Sequence, residues 1–222
     1  MEITKLQLED GEFYNEVTIK KVIVLHHTAG GPSAINVIAG AWEHDKAANG
    51  GKLPVATSYV IGGKLSTDLT MDGKIYQAFD DKFYAHHLGC KTKNNLALNK
   101  QSIGIEICNW GPITFKNSKY ITYVGTELTA NEVYKLEKPF RGFTYYHEYT
   151  DAQVASLKAL LLILAEKHKI NIKKAWNLLS FELSNDALAG AAGVFTHTNY
   201  RSDKFDISPS PKLIAMLNSL NV

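Results

Sequence analysis

The sequence predicts a single α/β domain, a central sheet flanked by helices, over residues 1–222 with an insertion at about 109–149. Three observations predict it. Short β-branched runs alternate with stretches of helical periodicity from end to end. No composition break, internal repeat or low-complexity linker divides the chain. With 222 residues, 45% of them hydrophobic, there is enough apolar material for one sizeable core.

The elements follow in order. Residues 1–20 are polar and mixed, with weak strand character near Glu16–Ile19. Lys21–Leu25 is a β-branched run that reads as a buried strand and ends in His26-His27-Thr28-Ala29-Gly30-Gly31-Pro32. Ser33 is placed to cap a helix running to about Ala48, with Ala34, Val37, Ile38, Ala41 and Trp42 at helical spacing, until Asn49-Gly50-Gly51 stops it. Val55–Ile61 and Lys74–Gln77 read as strands around a turn at Met71–Lys74. Lys91–Gln101 reads as a polar loop. Ser102–Cys108 is the clearest strand, with Ile103, Ile105 and Ile107 on one face and Gly104, Glu106 and Cys108 on the other. Residues 109–149, rich in Tyr and Phe, read as irregular or hairpin structure. Thr150-Asp-Ala-Gln153 is a capping-box start for the strongest helix, to about Lys169, with Val154, Leu157, Leu160, Leu161 and Leu164 on one face. A shorter helix at Lys173–Leu179 and a closing one at Pro211–Leu220 complete the pattern.

Composition excludes several classes. A net charge of +2 is too weak to indicate a nucleic-acid partner. The longest wholly apolar run, Ala159–Ala165, is far short of a membrane span, and the first ten residues hold no secretory h-region. The expectation is a chain that is cytoplasmic on synthesis, with no membrane partner, and monomeric. Cys90 and Cys108 make no disulfide framework and lack zinc-site spacing; Cys108, in an apolar strand, is expected as a reduced, buried thiol.

Residues capable of chemistry collect in four places. His26 and His27 end a strand and must point to opposite faces; a ligand position and a hydrogen-bonded structural histidine are both compatible with that. Glu106 sits among small residues opposite an all-isoleucine face, so it pairs with a cation, lines a cleft or lies on a half-exposed sheet face. His86 and His87 precede Leu88-Gly89. His197–Asp206 packs a histidine, a lysine and two aspartates into ten residues between the glycine-bearing Ala192–Phe195 and Ser208-Pro-Ser-Pro211, flanks that read as loop. Alone it is a polar surface loop or half of a site. A catalytic zinc needs three nitrogen or oxygen ligands and one open position, and these residues can supply such a set.

Taken together, Val22–Ala29, Ala56–Ile61 with Gly73–Gln77, Ala85–Gly89, Asn99–Glu106 and His197–Asp206 resemble the zinc-dependent N-acetylmuramoyl-L-alanine amidases. This is the family of phage endolysin amidases and peptidoglycan recognition proteins. The resemblance covers about residues 21–108 and 150–220 and implies a mixed central sheet. It implies Zn2+ held by His26, His197 and Asp206, Glu106 as general base, and Lys204 beside the oxyanion. His87, Thr28 and Asn99 would line the substrate groove. The substrate would be peptidoglycan or a muropeptide, cut between N-acetylmuramic acid and L-alanine, with action on the cell wall if the chain is released as an endolysin. The alternatives are a non-catalytic muropeptide-binding domain and a zinc peptidase of the stem peptide. Three features depart from the family pattern. Thr57-Ser58-Tyr59 replaces the catalytic tyrosine of one branch, which places weight on Glu106. Asp206-Ile-Ser-Pro209 replaces Asp-Pro, which leaves Asp203 as a rival third ligand. The 109–149 insertion is not typical.

Overall fold

The computed structural model describes residues 2–65, 68–173 and 181–221. Its centre is a six-stranded sheet of β1 (Ile3–Lys5), β2 (Val22–His27), β3 (Tyr59–Ile61), β4 (Ile75–Gln77), β5 (Ser102–Ile107) and β11 (Gly193–Thr196), in the order β1-β4-β3-β5-β2-β11. Only the β3–β4 pair is antiparallel, so the sheet is mixed, as expected. β2 is buried along its whole length, which is why its sequence is continuously apolar up to the histidines rather than alternating.

Each sheet face has its own core. Ile23, Leu25, Ile103, Ile105 and Ile107 pack under α2 (Asp151–His168) through Leu157, Leu160, Leu161 and Leu164. The capping box holds as the sequence predicts: Gln153 N donates to Thr150 Oγ1 at 3.0 Å and Thr150 N to Gln153 Oε1 at 3.1 Å, an arrangement worth about 1 kcal/mol. On the opposite face Val22, Val24 and Phe195 pack with Leu88 and Leu98. The closing helix is Pro211–Asn218. Both cysteines are free and buried. Among the described residues no helix is long and apolar enough to cross a membrane.

Several sequence expectations are corrected. Of the irregular-or-hairpin reading of residues 109–149, the hairpin half holds: they form a five-stranded antiparallel sheet, β8-β7-β6-β10-β9, built from β6 (Pro112–Lys116), β7 (Lys119–Ile121), β8 (Glu127–Leu128), β9 (Val133–Phe140) and β10 (Phe143–His147). Its hairpins close on the two-residue turns Asn117-Ser118 and Arg141-Gly142, all at positive φ, the geometry whose twist matches a hairpin. Phe115, Tyr120 and Tyr145 meet in tilted and edge-on contacts, centroids 4.8–5.5 Å apart, while Tyr134, Phe140 and Tyr146 are buried in the main core, and together these account for the aromatic richness. The supposed loop 91–101 contains α1 (Asn95–Gln101). The supposed loop before His197 is β11. The helix after Ser33 ends at His44, not Ala48, because Ala47 N turns back to Gly51 O and Lys46 pairs with Lys52. The strand expected from Val55 begins only at Tyr59. Most of the expected 173–179 helix lies outside the described residues.

Candidate active site

Parallel register places the site. His26 pairs with Glu106 across β2–β5, and Thr196 with Leu25 across β11–β2. Glu106, His26 and His197 therefore stand in one row at the carboxyl ends of three adjacent strands, where ligands bind in open α/β sheets. Alternation sends His27 to the other face, where its Nδ1 meets Tyr149 Oη at 3.0 Å. The 197–206 segment folds back so that Asp206 faces the two histidines, with Thr198 N donating to Asp206 O at 3.2 Å.

The three side chains converge. His26 Nδ1 lies 3.1 Å from His197 Nδ1 and 3.2 Å from Asp206 Oδ2, and His197 Nδ1 lies 2.8 Å from the same oxygen. All three residues are buried. The rest of the network fixes where the protons are. His197 Nε2 faces the Leu88 carbonyl at 2.8 Å, so it carries the hydrogen and Nδ1 presents a lone pair. Ser102 Oγ donates to Asn99 O at 3.2 Å, so it accepts from His87 Nε2 at 2.7 Å. His87 Nδ1 then accepts from His26 Nε2 at 2.9 Å. His26 is left with its lone pair on Nδ1, beside that of His197 and a carboxylate oxygen. Three acceptors thus face one another with no proton to share. A tetrahedral zinc with ligand bonds of 2.0–2.1 Å has ligand–ligand edges of about 3.3 Å. The observed triangle is slightly tighter and has the right donor chemistry, so the residues fit the ion.

Electrostatics agree with this reading. Burial, reinforced by His197, pushes His26 down to about 4, so it is a neutral donor at ordinary pH. Burial, with His26 beside it, also holds His87 well below the usual histidine range. Glu106 is pushed well above its ordinary value by burial and then by the Asp206 charge, with Lys204 opposing. That is the direction in which a carboxylate becomes a better proton acceptor.

Seven of the eight residues singled out from sequence line one cleft of about 360 Å³: His26, Thr28, His87, Glu106, His197, Lys204 and Asp206. Asn99, expected at the substrate groove, does not. It is fully buried behind the cleft, where its Oδ1 accepts from His87 N at 2.8 Å and Leu88 N at 3.1 Å. Asn99 thus sets the backbone that carries His87 and the Leu88 carbonyl. His87 meets the cleft, but both its ring nitrogens are engaged by protein groups, so it orients His26 rather than standing free for substrate. Gly104 permits this, since a Cβ there would come within 2.7 Å of Thr57 Cγ2 and 3.2 Å of His87 Nδ1. Thr28 forms wall, its hydroxyl already shared with Asn109. Asp203 is half-exposed and gripped by Arg201 at 2.5 and 3.0 Å, away from the triad. Ser102 escaped the sequence reading, although period-2 alternation places it on the Glu106 face of β5. The Leu88 carbonyl leaves no signal in side-chain chemistry.

Comparison with known proteins supplies the family. The solved structure of PlyL has 15% identity and a TM-score of 0.55, covering 100% of both chains. The catalytic domain of XlyA has 13% identity and a TM-score of 0.55 over 100% of both chains. The N-acetylmuramoyl-L-alanine amidase LysC from Clostridium intestinale URNW has 15% identity and a TM-score of 0.51, covering 100% of this chain and 99% of its own. At such identities these likenesses establish the fold. No curated protein matches. The N-acetylmuramoyl-L-alanine amidase family profile matches residues 15–208, from ahead of β2 to just past Asp206. Its span takes in all the converging groups, and the chain belongs to the N-acetylmuramoyl-L-alanine amidases, hydrolases of peptidoglycan.

Proposed function

We propose that the chain is a zinc-dependent amidase in which His26, His197 and Asp206 hold the ion. The observation that carries this is the convergence of His26 Nδ1, His197 Nδ1 and Asp206 Oδ2 at 2.8–3.2 Å, with the other nitrogen of each imidazole turned to an acceptor of its own. When bound, zinc supplies Lewis acidity, which lowers the pKa of water and polarises a carbonyl.

The chain's own residues do the rest. Glu106, at the cleft floor beside His26, takes the proton of the attacking water as it adds to the lactyl carbonyl carbon. Glu106 then returns that proton to the amide nitrogen, so that the C–N bond breaks to a carboxylate and the amine of L-alanine. Lys204, in the cleft wall and without an ion-pair partner among the described residues, offers its ammonium to the tetrahedral oxyanion. His87 and Ser102 hold His26 in the tautomer that keeps Nδ1 free. Cell-wall lysis, as by an endolysin, is the role this chemistry serves.

The test is purified peptidoglycan digested with protein of known metal content. The parent should bind close to one zinc per chain and release L-alanine amino groups, with products whose masses place the cut at the sugar–peptide amide. Asp206→Ala should lose both metal and activity, whereas Asp203→Ala should keep both. Full activity in Asp206→Ala, or products cut between two amino acids, would overturn the assignment.

A further inference from the structure

His26 and Asp206 are held in place by different means. His26 ends a strand paired on both sides, so the central sheet fixes it. Asp206 has no such frame. It lies in a stretch, 201–210, that belongs to no strand or helix, so its distance from His26 depends on what packs against its neighbours. Groups carried on loops are precise only when the shell behind them is. Here the inserted sheet supplies that shell. Phe205, just before Asp206, meets Phe143 of β10 edge-on, centroids 6.3 Å apart at 64°. Ser208, two residues after Asp206, is fully buried. Burial raises the phenols of Tyr134 and Tyr149 well above their ordinary values, and Ser208 opposes the rise in both, which places it against the two hydroxyls. Tyr134 lies on β9, and Tyr149 joins β10 to α2.

His27 closes the cluster from the strand side. It packs against Phe205, centroids 6.2 Å apart, and its Nδ1 lies 3.0 Å from Tyr149 Oη. Its Nε2 is buried with no hydrogen-bond partner among the described residues. A buried N–H without a partner is costlier than an unused lone pair, so the hydrogen sits on Nδ1 and is donated to Tyr149. The Tyr149 phenol therefore touches His27, next in the chain to His26, and Ser208, two residues past Asp206.

We propose that Tyr149 is a positioning residue for the metal centre, and that through it the inserted sheet sets the spacing between His26 and Asp206. The inference rests on the zinc reading above. His87, Ser102 and the Leu88 carbonyl orient the two imidazoles, but among the described residues they form no hydrogen bond with the 205–208 segment. The Tyr149 hydroxyl supplies that constraint from behind the strand. Without it the His27 N–H loses its partner. The metal-free chain relieves this by letting the end of β2 and the 205–208 segment move apart, and the metal-loaded chain cannot, so the loss falls on zinc affinity.

The experiment uses Tyr149→Phe, which keeps the ring and deletes only the hydroxyl. Zinc affinity, read by chelator competition, should weaken about tenfold, the low end of what losing an outer partner costs a metal site. The cobalt(II)-substituted protein should show visible ligand-field bands displaced from those of the parent, because the bands report ligand geometry and a loss of stability alone does not move them. Ser208→Ala, a smaller deletion in the same cluster, should shift both readouts the same way by a smaller factor, and it decides the matter if Tyr149→Phe does not fold. Met71→Ala, in the separate core that holds Phe13 and Phe79, should lower the melting temperature while zinc affinity and cobalt bands stay as in the parent. A parent that takes up neither zinc nor cobalt would overturn the zinc reading and this inference with it. A parent that binds both, with parent-like affinity and bands in Tyr149→Phe and Ser208→Ala, would overturn the role of Tyr149 alone. So would a Met71→Ala that loses as much zinc affinity as Tyr149→Phe.

Discussion

Removing the His87 imidazole tests the proton network directly. His87→Ala deletes the acceptor 2.9 Å from His26 Nε2 and the donor 2.7 Å from Ser102 Oγ, both within buried surroundings. A buried N–H left without a partner costs about 1–3 kcal/mol. Because His26 can then place its hydrogen on Nδ1 and relieve that cost, the penalty falls on the metal-competent tautomer. The expected result is zinc affinity weakened about 10–100-fold, which is 1.4–2.7 kcal/mol. His87→Asn is the matched control. The asparagine side-chain oxygen occupies the position of imidazole Nδ1 and restores the acceptor toward His26, so most of the affinity should return. Ser102→Ala, one step further along the chain of bonds, should cost less than His87→Ala. The assay is competition with a chromophoric zinc chelator, at a pH well above the titration of His26, with thermal melts of the metal-free proteins read in parallel to separate folding from ligation. His87→Ala that holds zinc as tightly as the parent would refute the tautomer argument. So would a His87→Asn no better than His87→Ala.

Three further outcomes follow from the same geometry. Glu106→Gln should reduce kcat on peptidoglycan by about 10²–10⁴-fold while leaving zinc content unchanged, measured by release of amino groups alongside metal analysis; loss of metal in step with activity would place Glu106 in a different role. His27 and His147 are both pushed down to about 4 by burial, so the unfolded chain binds protons that the folded chain refuses. Their contribution to stability is therefore whole above the unfolded value of 6.5 and is lost as pH falls from there through about 4, on the order of 3 kcal/mol for each; denaturant melts across that window should show the decline, and His147→Gln should make it shallower. Leu160, fully buried on the inner face of α2, should cost about 2–5 kcal/mol as Leu160→Ala, seen as a lower denaturation midpoint with unchanged slope.

What could be read from the sequence divides along a physical line. β2, β5 and α2 were legible because burial forces local patterns on them: a β-branched run, strict alternation and a capped apolar stripe. Glu106 was legible for the same reason, as the one acid on a strand otherwise built for burial. β11 and α1 were not. Four residues containing a glycine carry too little periodicity to declare a strand, yet pairing with β2 makes one. α1 reads as loop because its asparagines favour turns, but Asn99 is satisfied by the backbone of His87 and Leu88, and Leu98 by burial. The third ligand was ambiguous for a related reason. The resemblance favours Asp206 and leaves Asp203 as a rival, and the fold-back of the segment turns Asp206 toward the histidines and Asp203 toward Arg201.

The same division explains why the insertion bears on the site although it lies outside the central sheet. Two adjacent residues of β2 serve opposite faces. His26 enters the triad, and His27 meets Tyr149, the residue that leads from the inserted sheet into α2. On the other side of the insertion, Thr28 exchanges hydrogen bonds with the backbone of Asn109, whose Nδ2 donates to His147 O at 3.1 Å and whose Oδ1 accepts from Gly111 N at 2.7 Å. Both ends of the inserted segment are therefore tied to the His26-His27-Thr28 step. Trp110 follows Asn109 in the second of these tethers, so its place is fixed by the strand end that carries His26. A disturbance of Asn109 should consequently move Trp110 relative to Glu106 before it changes zinc affinity, because His26 Nε2 is held by His87 and not by the insertion.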